Sequence, residues 1–373
     1  MVFYLSIAFL LFFISLLDFN PRSLQCNKSI RLCAKNFYFL IVIIAVILGG
    51  IRWRTGTDWD SYSNFFLENN SLKAYKSRLF EPGFTYMNYF VKQFTTSYTC
   101  FLFIFHFLVI IPKMYFIKKI SYYPLISILL YWCFYFCDIT AVRNALGVSF
   151  LLLSIISIKN KNKTHFIILT LLATSIHYSC AFWFISYYIY NLNISLTKWK
   201  KLLIFSLLLA VLGQYIYPTI ITMIFSHVPG NIAWKIIYYA TNYKETATTI
   251  VTKLLSLCKR VIFLPFIFIY YKKLCNLSPY NKGIINLYLF GNVFYLCFFS
   301  GFTQMNRCVI ANLFLEVILL PEFILCIKKK EIKMIFILFI FLYAMFKLIT
   351  AIRPFAYLLI PYLSIFNYSP VIR

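Results

Sequence analysis

Charged and aromatic residues are concentrated in residues 52–62, directly after an apolar run. The stretch contains, in order, Arg52, Arg54, Gly56, Asp58, Asp60 and Tyr62. An arginine fork can hold a phosphate or diphosphate with two parallel hydrogen bonds. Glycine permits a tight turn, and carboxylates can orient the arginines or accept a proton. The stretch therefore indicates either an anion site or a tryptophan and arginine belt that anchors a helix end at a membrane interface.

Three further ionisable residues lie at the ends of apolar runs: Arg143, His177 and Arg307. An arginine one turn into an apolar helix is costly and is a functional candidate. The alternative for Arg143 and Arg307 is an anchor that reaches back to the interface. His177 is either a hydrogen-bonded packing residue, a general base, or an imidazole that binds phosphate.

Sequence signals for metals and cofactors are weak. The pair Asp58 and Asp60 resembles two metal ligands, but carboxylates at this spacing are common by chance. Walker A, GxSxG, HExxH and CxxC motifs do not occur. Most of the 11 cysteines fall inside apolar runs, which is typical of small buried thiols. We therefore expect no metal and no cofactor.

The elements that must position these residues are apolar helices. Hydrophobic residues make up 62% of the chain, charged residues only 12%, and the mean hydropathy is +0.80. Soluble domains are about 45–50% apolar and about 25% charged, and a spanning helix needs about 20 apolar residues. The composition predicts an all-α integral membrane protein of about a dozen helices. We place the spans at 2–17 (uncleaved), 37–51, 98–117, 122–137, 140–158, 164–177, 179–194, 202–225, 254–271, 283–300, 308–327 and 334–352.

Charge predicts the orientation of this single membrane domain, 1–373. One set of loops carries 19 Lys and Arg residues but only Asp18 and Glu331 as acids, which predicts that it faces the cytoplasm. The opposite loops, including the long 52–97 and 226–249, are expected outside, with 82–95 as an interfacial helix. The net charge of +26 thus belongs to membrane loops, and nucleic-acid binding is not expected.

Four of these outer loops carry Arg52 with Arg54, Arg143, His177 and Arg307. A cationic, water-accessible cavity at one membrane face would suit an anionic, lipid-linked substrate. Each charge-assisted hydrogen bond to a phosphate would contribute about 1.5–3 kcal/mol.

At these residues the chain resembles the Wzy-type polysaccharide polymerases, specifically the EpsG-like branch. The matching pieces extend over nearly the whole chain: Arg52-x-x-x-Gly56-Thr57-Asp58-x-x-x-Tyr62, Glu81-Pro82-Gly83-Phe84, Arg143-Asn144-Ala145-Leu146, His177-Tyr178-Ser179, Arg307, and Pro361-Tyr362.

The resemblance implies a glycosyltransferase of GT-C-like architecture in the bacterial inner membrane. Such an enzyme joins undecaprenyl-diphosphate-linked glycan units, as donor and acceptor, into O-antigen or exopolysaccharide on the periplasmic side, without metal or nucleotide sugar. Its expected partners are membrane lipid, a chain-length regulator and a flippase.

The residues are assigned to this reaction as follows. We expect the lipid diphosphate to bind Arg52, Arg143 and Arg307. His177 or Asp58 is the expected base for the acceptor hydroxyl, and the choice stays open. The rest of the expected substrate-binding set is Arg54, Asp60, Tyr62, Glu81 and Tyr362.

Three other classes compete with this interpretation. A transporter such as a lipid-linked oligosaccharide flippase would place polar residues near the membrane midplane, where the main candidates are Lys253, Glu316 and Lys347. A membrane acyltransferase would need a base beside an acyl-donor channel, a role open to His177. A structural or immunity-type membrane protein would need no site.

Overall fold

Helices account for most of the chain, and they form two compact units. The computed structural model describes residues 1–19, 28–56, 58–69, 71–73, 80–140, 143–228, 231–241, 250–300 and 302–367. Thr57, which is part of the motif at residues 52–62, lies outside these ranges. The first unit consists of Met1–Ala181 and Val317–Arg373, and the second of Phe182–Glu316. The prediction of one membrane domain stays a prediction, because two compact units can share a single membrane domain.

In the ranges that the structure describes, the first unit begins with eight α-helices: Val2–Ser15 (α1), Lys28–Ile51 (α2), Trp59–Glu68 (α3), Pro82–Lys92 (α4), Tyr98–Ile120 (α5), Pro124–Tyr135 (α6), Arg143–Lys159 (α7) and Lys163–Ile176 (α8). Local sequence explains several starts. Ser97 and Asn162 accept backbone N–H bonds at the beginnings of α5 and α8. Proline opens α4 and α6, where its missing N–H costs nothing.

The described residues of the second unit form seven α-helices: Ser186–Asn191 (α9), Leu196–Phe225 (α10), Asn231–Thr241 (α11), Ile250–Val261 (α12), Leu264–Leu277 (α13), Asn281–Cys297 (α14) and Ile310–Phe314 (α15). Glu316–Cys326 (α16) leads back into the first unit, which ends with Lys330–Ile352 (α17) and Ala356–Leu359 (α18).

Six helical segments in the described ranges are long and apolar enough to cross a membrane: Leu32–Ile51, Tyr98–Ile120, Leu196–Phe225, Lys253–Leu277, Thr303–Cys326 and Lys330–Leu359. Shorter apolar helices cover Val2–Asp18, Pro124–Ile139 and Lys163–Ile176. The chain is therefore an all-helical, multi-pass membrane protein; the count of about a dozen spans stays a prediction.

The predicted span 179–194 differs from the structure. Residues 179–194 do not form a continuous α-helix, because a 3-10 helix, Tyr178–Ile185, precedes the short α9. His177 ends α8 in an extended conformation, with φ −151° and ψ 117°, so the chain has to start a new helix. In an apolar run of this length, the hydrophobic periodicity does not show whether the segment forms a 3-10 helix or an α-helix.

Helices α2 and α5 pack side by side and antiparallel. The Tyr38 hydroxyl donates to the Met114 carbonyl near one end of the pair. Near the other end, the His106 ring fills the space in which Gly49 would carry a side chain. This pairing fixes the place where α2 ends at Ile51, and therefore where the polar stretch 52–62 begins.

Candidate active site

The turn after α2 is joined to a segment more than 300 residues away. Arg52 forms an isolated β-bridge with Ser364. The backbone N–H of Trp53 donates to the Leu363 carbonyl (2.9 Å), and Leu363 N–H donates to the Thr55 hydroxyl oxygen (3.1 Å). The residues around Pro361-Tyr362 thus hold the turn in place. This contact explains why two motifs at opposite ends of the chain belong to one site.

Arg52 holds this turn from the inside. Its Nη1 donates to the carbonyls of Thr55 (2.8 Å) and Thr140 (2.7 Å), and the side chain is fully buried. Nε and Nη2 have no hydrogen-bond partner among the described residues, and no described carboxylate lies within 4 Å. A buried cation without a counter-ion is costly, which marks this position as functional.

Gly56 is required at the tip of the turn. Its φ of +104° is strained for any residue with a side chain. A Cβ at this position would also lie 2.9 Å from Thr140 Cβ and 3.3 Å from Arg52 Nη1. The glycine therefore lets the turn approach the Thr140 carbonyl closely enough for the Arg52 bond.

Arg143, the first residue of α7, is held in a cage of polar and aromatic groups. Its Nε donates to the Tyr62 hydroxyl (3.0 Å), and its Nη1 forms an ion pair with the buried carboxylate of Glu81. The guanidinium carbon lies 4.5 Å from the Phe80 ring centroid and 5.8 Å from that of Phe84. The side chain remains 21% exposed, and Nη2 has no partner among the described residues. Nε and Nη1 are thus held by protein groups, and Nη2 can donate to an anion.

The two tyrosines of the site remain protonated over the physiological range. Burial raises the pKa of Tyr62, while Arg143 opposes that rise. Burial likewise raises the pKa of Tyr362 above its usual range, and the hydroxyl of Tyr362 donates to the Leu48 carbonyl near the end of α2. Tyr62 therefore orients Arg143, whereas Tyr362 joins the 358–364 segment to α2.

The contacts of His177 favour one tautomer of its ring. The backbone N–H of Ser179 donates to Nδ1 (3.3 Å), and the Ser179 hydroxyl lies 2.8 Å from the same nitrogen. An N–H donor requires a lone pair on Nδ1, so the neutral imidazole carries its proton on Nε2. In this state His177 can donate a hydrogen bond through Nε2.

Close helix contacts bring His177 into the neighbourhood of Arg143. A Cβ on Gly83, at the start of α4, would lie 2.8 Å from the backbone C and O of Ser175, near the end of α8. A Cβ on Gly147, one turn after Arg143 on α7, would lie 3.7 Å from His177 Cβ. The Glu81, Arg143 and His177 motifs therefore sit on three helices that meet at one point.

Three of the predicted site residues are exposed: Arg54, Asp58 and Asp60. Asp58 is exposed and directly precedes α3. Arg54 Nε lies 3.8 Å from Asp60 Oδ1, with both side chains exposed, so the pair adds little stability.

Across the described ranges, three or more His, Cys, Asp or Glu side chains do not converge on a possible metal position. Metal independence stays a prediction.

Arg307 belongs to a different unit from the other candidates. It is exposed in the 3-10 helix Thr303–Val309 of the second unit. The first unit contains all the other predicted site residues: Arg52, Arg54, Asp58, Asp60, Tyr62, Glu81, Arg143, His177 and Tyr362. The structure thus groups nine of the ten candidates in one unit.

A buried charge cluster around Lys113 of α5 lies outside the set of predicted site residues. Lys113 Nζ lies 2.5 Å from Asp138 Oδ2, and the Tyr131 hydroxyl donates to the same oxygen (2.9 Å). A lysine inside an apolar run is itself a signal of function and could have identified Lys113. Its partner could not be found from sequence, because Asp138 follows a different span.

Other buried donors of the site also have no partner in the described ranges. The indole Nε1 of Trp59 and the amide Nδ2 of Asn144 are buried and unpaired, as are two nitrogens of Arg52. Unpaired buried polar groups are rare and call for an explanation. All three groups are donors, which is the arrangement that anionic oxygens require.

Comparison with known proteins assigns the family. Neither the curated proteins nor the solved structures contain a match to the chain. The model of the EpsG family matches residues 35–364, a range that contains every candidate discussed above. The chain therefore belongs to the EpsG family.

Proposed function

We propose that this protein is a membrane glycosyltransferase that polymerises undecaprenyl-diphosphate-linked oligosaccharide repeat units into O-antigen or exopolysaccharide. The observation that carries the proposal is Arg143: a partly exposed guanidinium, oriented by Tyr62 and Glu81, whose Nη2 has no partner among the described residues. Membership of the EpsG family supports a polysaccharide polymerase of this kind. The additional donors of Arg52, Trp59 and Asn144 favour an anionic substrate over a neutral one.

The reaction that suits these groups is the displacement of a lipid diphosphate from a sugar. The bond between the donor's anomeric carbon and the diphosphate oxygen breaks, and a bond from that carbon to the acceptor's hydroxyl oxygen forms. The electron pair leaves with the diphosphate, where negative charge develops. Arg143, already fixed by two contacts, stabilises that charge without reorganising.

A base has to accept the proton of the acceptor hydroxyl. The tautomer of His177 bears on whether His177 or Asp58 takes that role. Because Nδ1 accepts the Ser179 N–H, neutral His177 offers a proton on Nε2 rather than a lone pair. We therefore assign His177 as a hydrogen-bond donor to a substrate oxygen. Asp58, an exposed carboxylate beside the Arg52 turn, is the better candidate for the base, a role that contributes about 10²–10⁴-fold.

Arg52 contributes mainly by position and by its charge. Its Nη1 holds the turn that presents Asp58, and its buried charge lies in a region of low dielectric, where it acts more strongly than at the surface. Substrate contact would use Nε and Nη2. Arg307 of the second unit remains a proposed further ligand for the diphosphate.

The proposed setting is the periplasmic face of the bacterial inner membrane, with about a dozen spans and a GT-C-like architecture. The orientation follows from the excess of positive charge in the loops on the opposite side. The helices α3 and α4, which carry Tyr62 and Glu81, would then lie on the outer surface.

The test is the glycan profile of cells that lack the gene. We expect single repeat units on the lipid carrier or on the lipid A core, and full-length polymer on re-expression. Absence of repeat units at the outer face would instead indicate the flippase alternative.

In isolated membranes, polymerisation should persist in excess chelator. Activity that is lost and then restored by magnesium or manganese would contradict a metal-free reaction.

A further inference from the structure

A groove lies between α2 and α5, at the end of the pair remote from the candidate active site. It has a volume of about 330 Å³, within the range of about 300–1,000 Å³ that is usual for small-molecule sites. Lys35 of α2 and Lys118 of α5 both line it. The two lysines stand at the same level, because the helices are antiparallel and Tyr38 bonds to Met114 one turn away. Two cations therefore flank one opening.

The walls of the groove are apolar and aromatic. They include Phe39, Val42, Ile111 and Tyr115. Phe39 is 66% exposed and Tyr115 is 53% exposed, so the groove opens along the outer surface of this unit. Carboxylates are missing from its described lining, and neither lysine forms an ion pair with a described residue. The Lys118 ammonium lies 5.7 Å from the Tyr38 ring centroid, which keeps it beside the groove.

We propose that this groove binds one anionic phospholipid of the surrounding bilayer. Its phosphate would lie between Lys35 and Lys118, and an acyl chain would run along the apolar walls between α2 and α5. Charge complementarity selects an anionic headgroup, and the exposed aromatic walls select an amphiphile over a soluble anion. Both lysines lie at the ends of α2 and α5 that the charge distribution predicts to face the cytoplasm, where anionic lipids attract basic residues.

The groove is distinct from the candidate active site. Lys35 and Arg52 are 17 residues apart on or just beyond α2, which corresponds to about 25 Å along a helix. The proposal therefore does not depend on the enzymatic activity, and it can be tested on purified protein.

The experiment uses the full chain, purified in detergent, and native mass spectrometry to count bound lipids. The probes are phosphatidylglycerol and phosphatidylcholine with identical acyl chains. We expect wild type to retain phosphatidylglycerol preferentially. Lys35→Gln and Lys118→Gln should each weaken retention about fivefold, and the double variant about thirtyfold, at low salt. Lys119→Gln removes the same charge from an exposed neighbour outside the groove and should match wild type.

Ile111→Trp provides a second, independent variant, because it fills the groove without changing charge. It should lower phosphatidylglycerol retention while both lysines remain. Equal retention of the two lipids, or an equal loss in Lys119→Gln, would overturn the proposal. So would an unchanged Ile111→Trp variant, or displacement of the lipid by equimolar inorganic phosphate, which would indicate a simple anion site.

Discussion

Arg143 and Arg52 carry the same group but are held in opposite ways. Arg52 is fully buried and directs Nη1 at two backbone carbonyls, so its main contacts are structural. Arg143 is partly exposed and is oriented by side chains, Tyr62 and Glu81, whose positions come from two further helices. Arg143 is thus positioned for a ligand, whereas Arg52 stabilises the turn.

Arg143→Lys should abolish most polymer formation. A lysine keeps the charge but cannot donate to Tyr62, Glu81 and a phosphate in one plane. Loss of one charge-assisted bond, about 1.5–3 kcal/mol, corresponds to a step slowed about 10- to 150-fold. Polymer length on gels and initial rates in isolated membranes measure the effect, with protein level determined in parallel.

Arg353→Lys is the matched control for that variant, since Arg353 is exposed and has no assigned role. It should behave as wild type. If Arg143→Lys makes full-length polymer at the normal rate, Arg143 is an interfacial anchor, and the diphosphate assignment is wrong.

At the scale of single residues, the sequence could identify cations next to apolar runs but not their partners. Arginines next to apolar runs are visible because charge there is costly. The Thr140 carbonyl that binds Arg52 is a backbone atom with no residue signature, and Phe80 is one of 42 phenylalanines. The tautomer of His177 depends on a local backbone bond that sequence does not encode.

Helix α4 is positioned by one close backbone contact. Gly83 lies against the backbone of Ser175. A side chain at residue 83 would therefore force α4 away from α8. Since Glu81 directly precedes α4, this contact determines where the carboxylate meets Arg143.

Gly83→Ala should therefore lower polymerisation strongly while the protein still inserts. The added methyl would lie 2.8 Å from backbone atoms, which cannot move like the tip of a side chain, so α4 must shift. Ser175→Ala removes only the hydroxyl of the same contact and serves as the control, with activity near wild type. Full activity of Gly83→Ala would show that the position of α4 does not matter. Polymer assays and membrane levels are the readouts.

The Lys113–Asp138 pair joins α5 to the 3-10 turn Phe136–Ile139, which leads to the Thr140 carbonyl. Removing one partner leaves the other charge buried and unpaired, at a cost of about 3–5 kcal/mol. Lys113→Met should therefore destabilise the protein markedly. The double variant Lys113→Met/Asp138→Asn should recover much of the loss. Thermal unfolding in detergent measures both; a double variant as unstable as the sum of the singles would exclude the pairing.

Element boundaries were predictable where length and apolarity decide them. The helix α5 and the segment Lys330–Ile352 follow the predicted spans within a few residues, because a long apolar run has few alternatives in a bilayer. The predicted interfacial helix at 82–95 is also a helix, Pro82–Lys92. The 3-10 segment after His177 was not foreseen, since composition alone does not distinguish 3-10 from α-helix.

Orientation is a property of the whole chain. If the basic loops face the cytoplasm, reporter fusions after Asn64 and Thr241 should read as periplasmic, and fusions after Lys161 and Lys330 as cytoplasmic. Paired reporters, one active on each side of the membrane, make each position its own control. A cytoplasmic signal at Asn64 would place Tyr62, Asp58 and Arg52 on the wrong side for the proposed reaction.

The pairing of the 53–56 turn with the segment around Leu363 has a consequence for biosynthesis. Thr55 and its partner Leu363 are separated by 308 residues, and a ribosome adds about 5–20 residues per second. The turn that presents Asp58 therefore waits roughly 15–60 s, after its own translation, for the segment that holds it. A nascent chain that is interrupted before Leu358 can insert most of its helices but still lack an ordered Arg52 turn. Under the proposed function, catalytic competence would then be among the last properties acquired during synthesis.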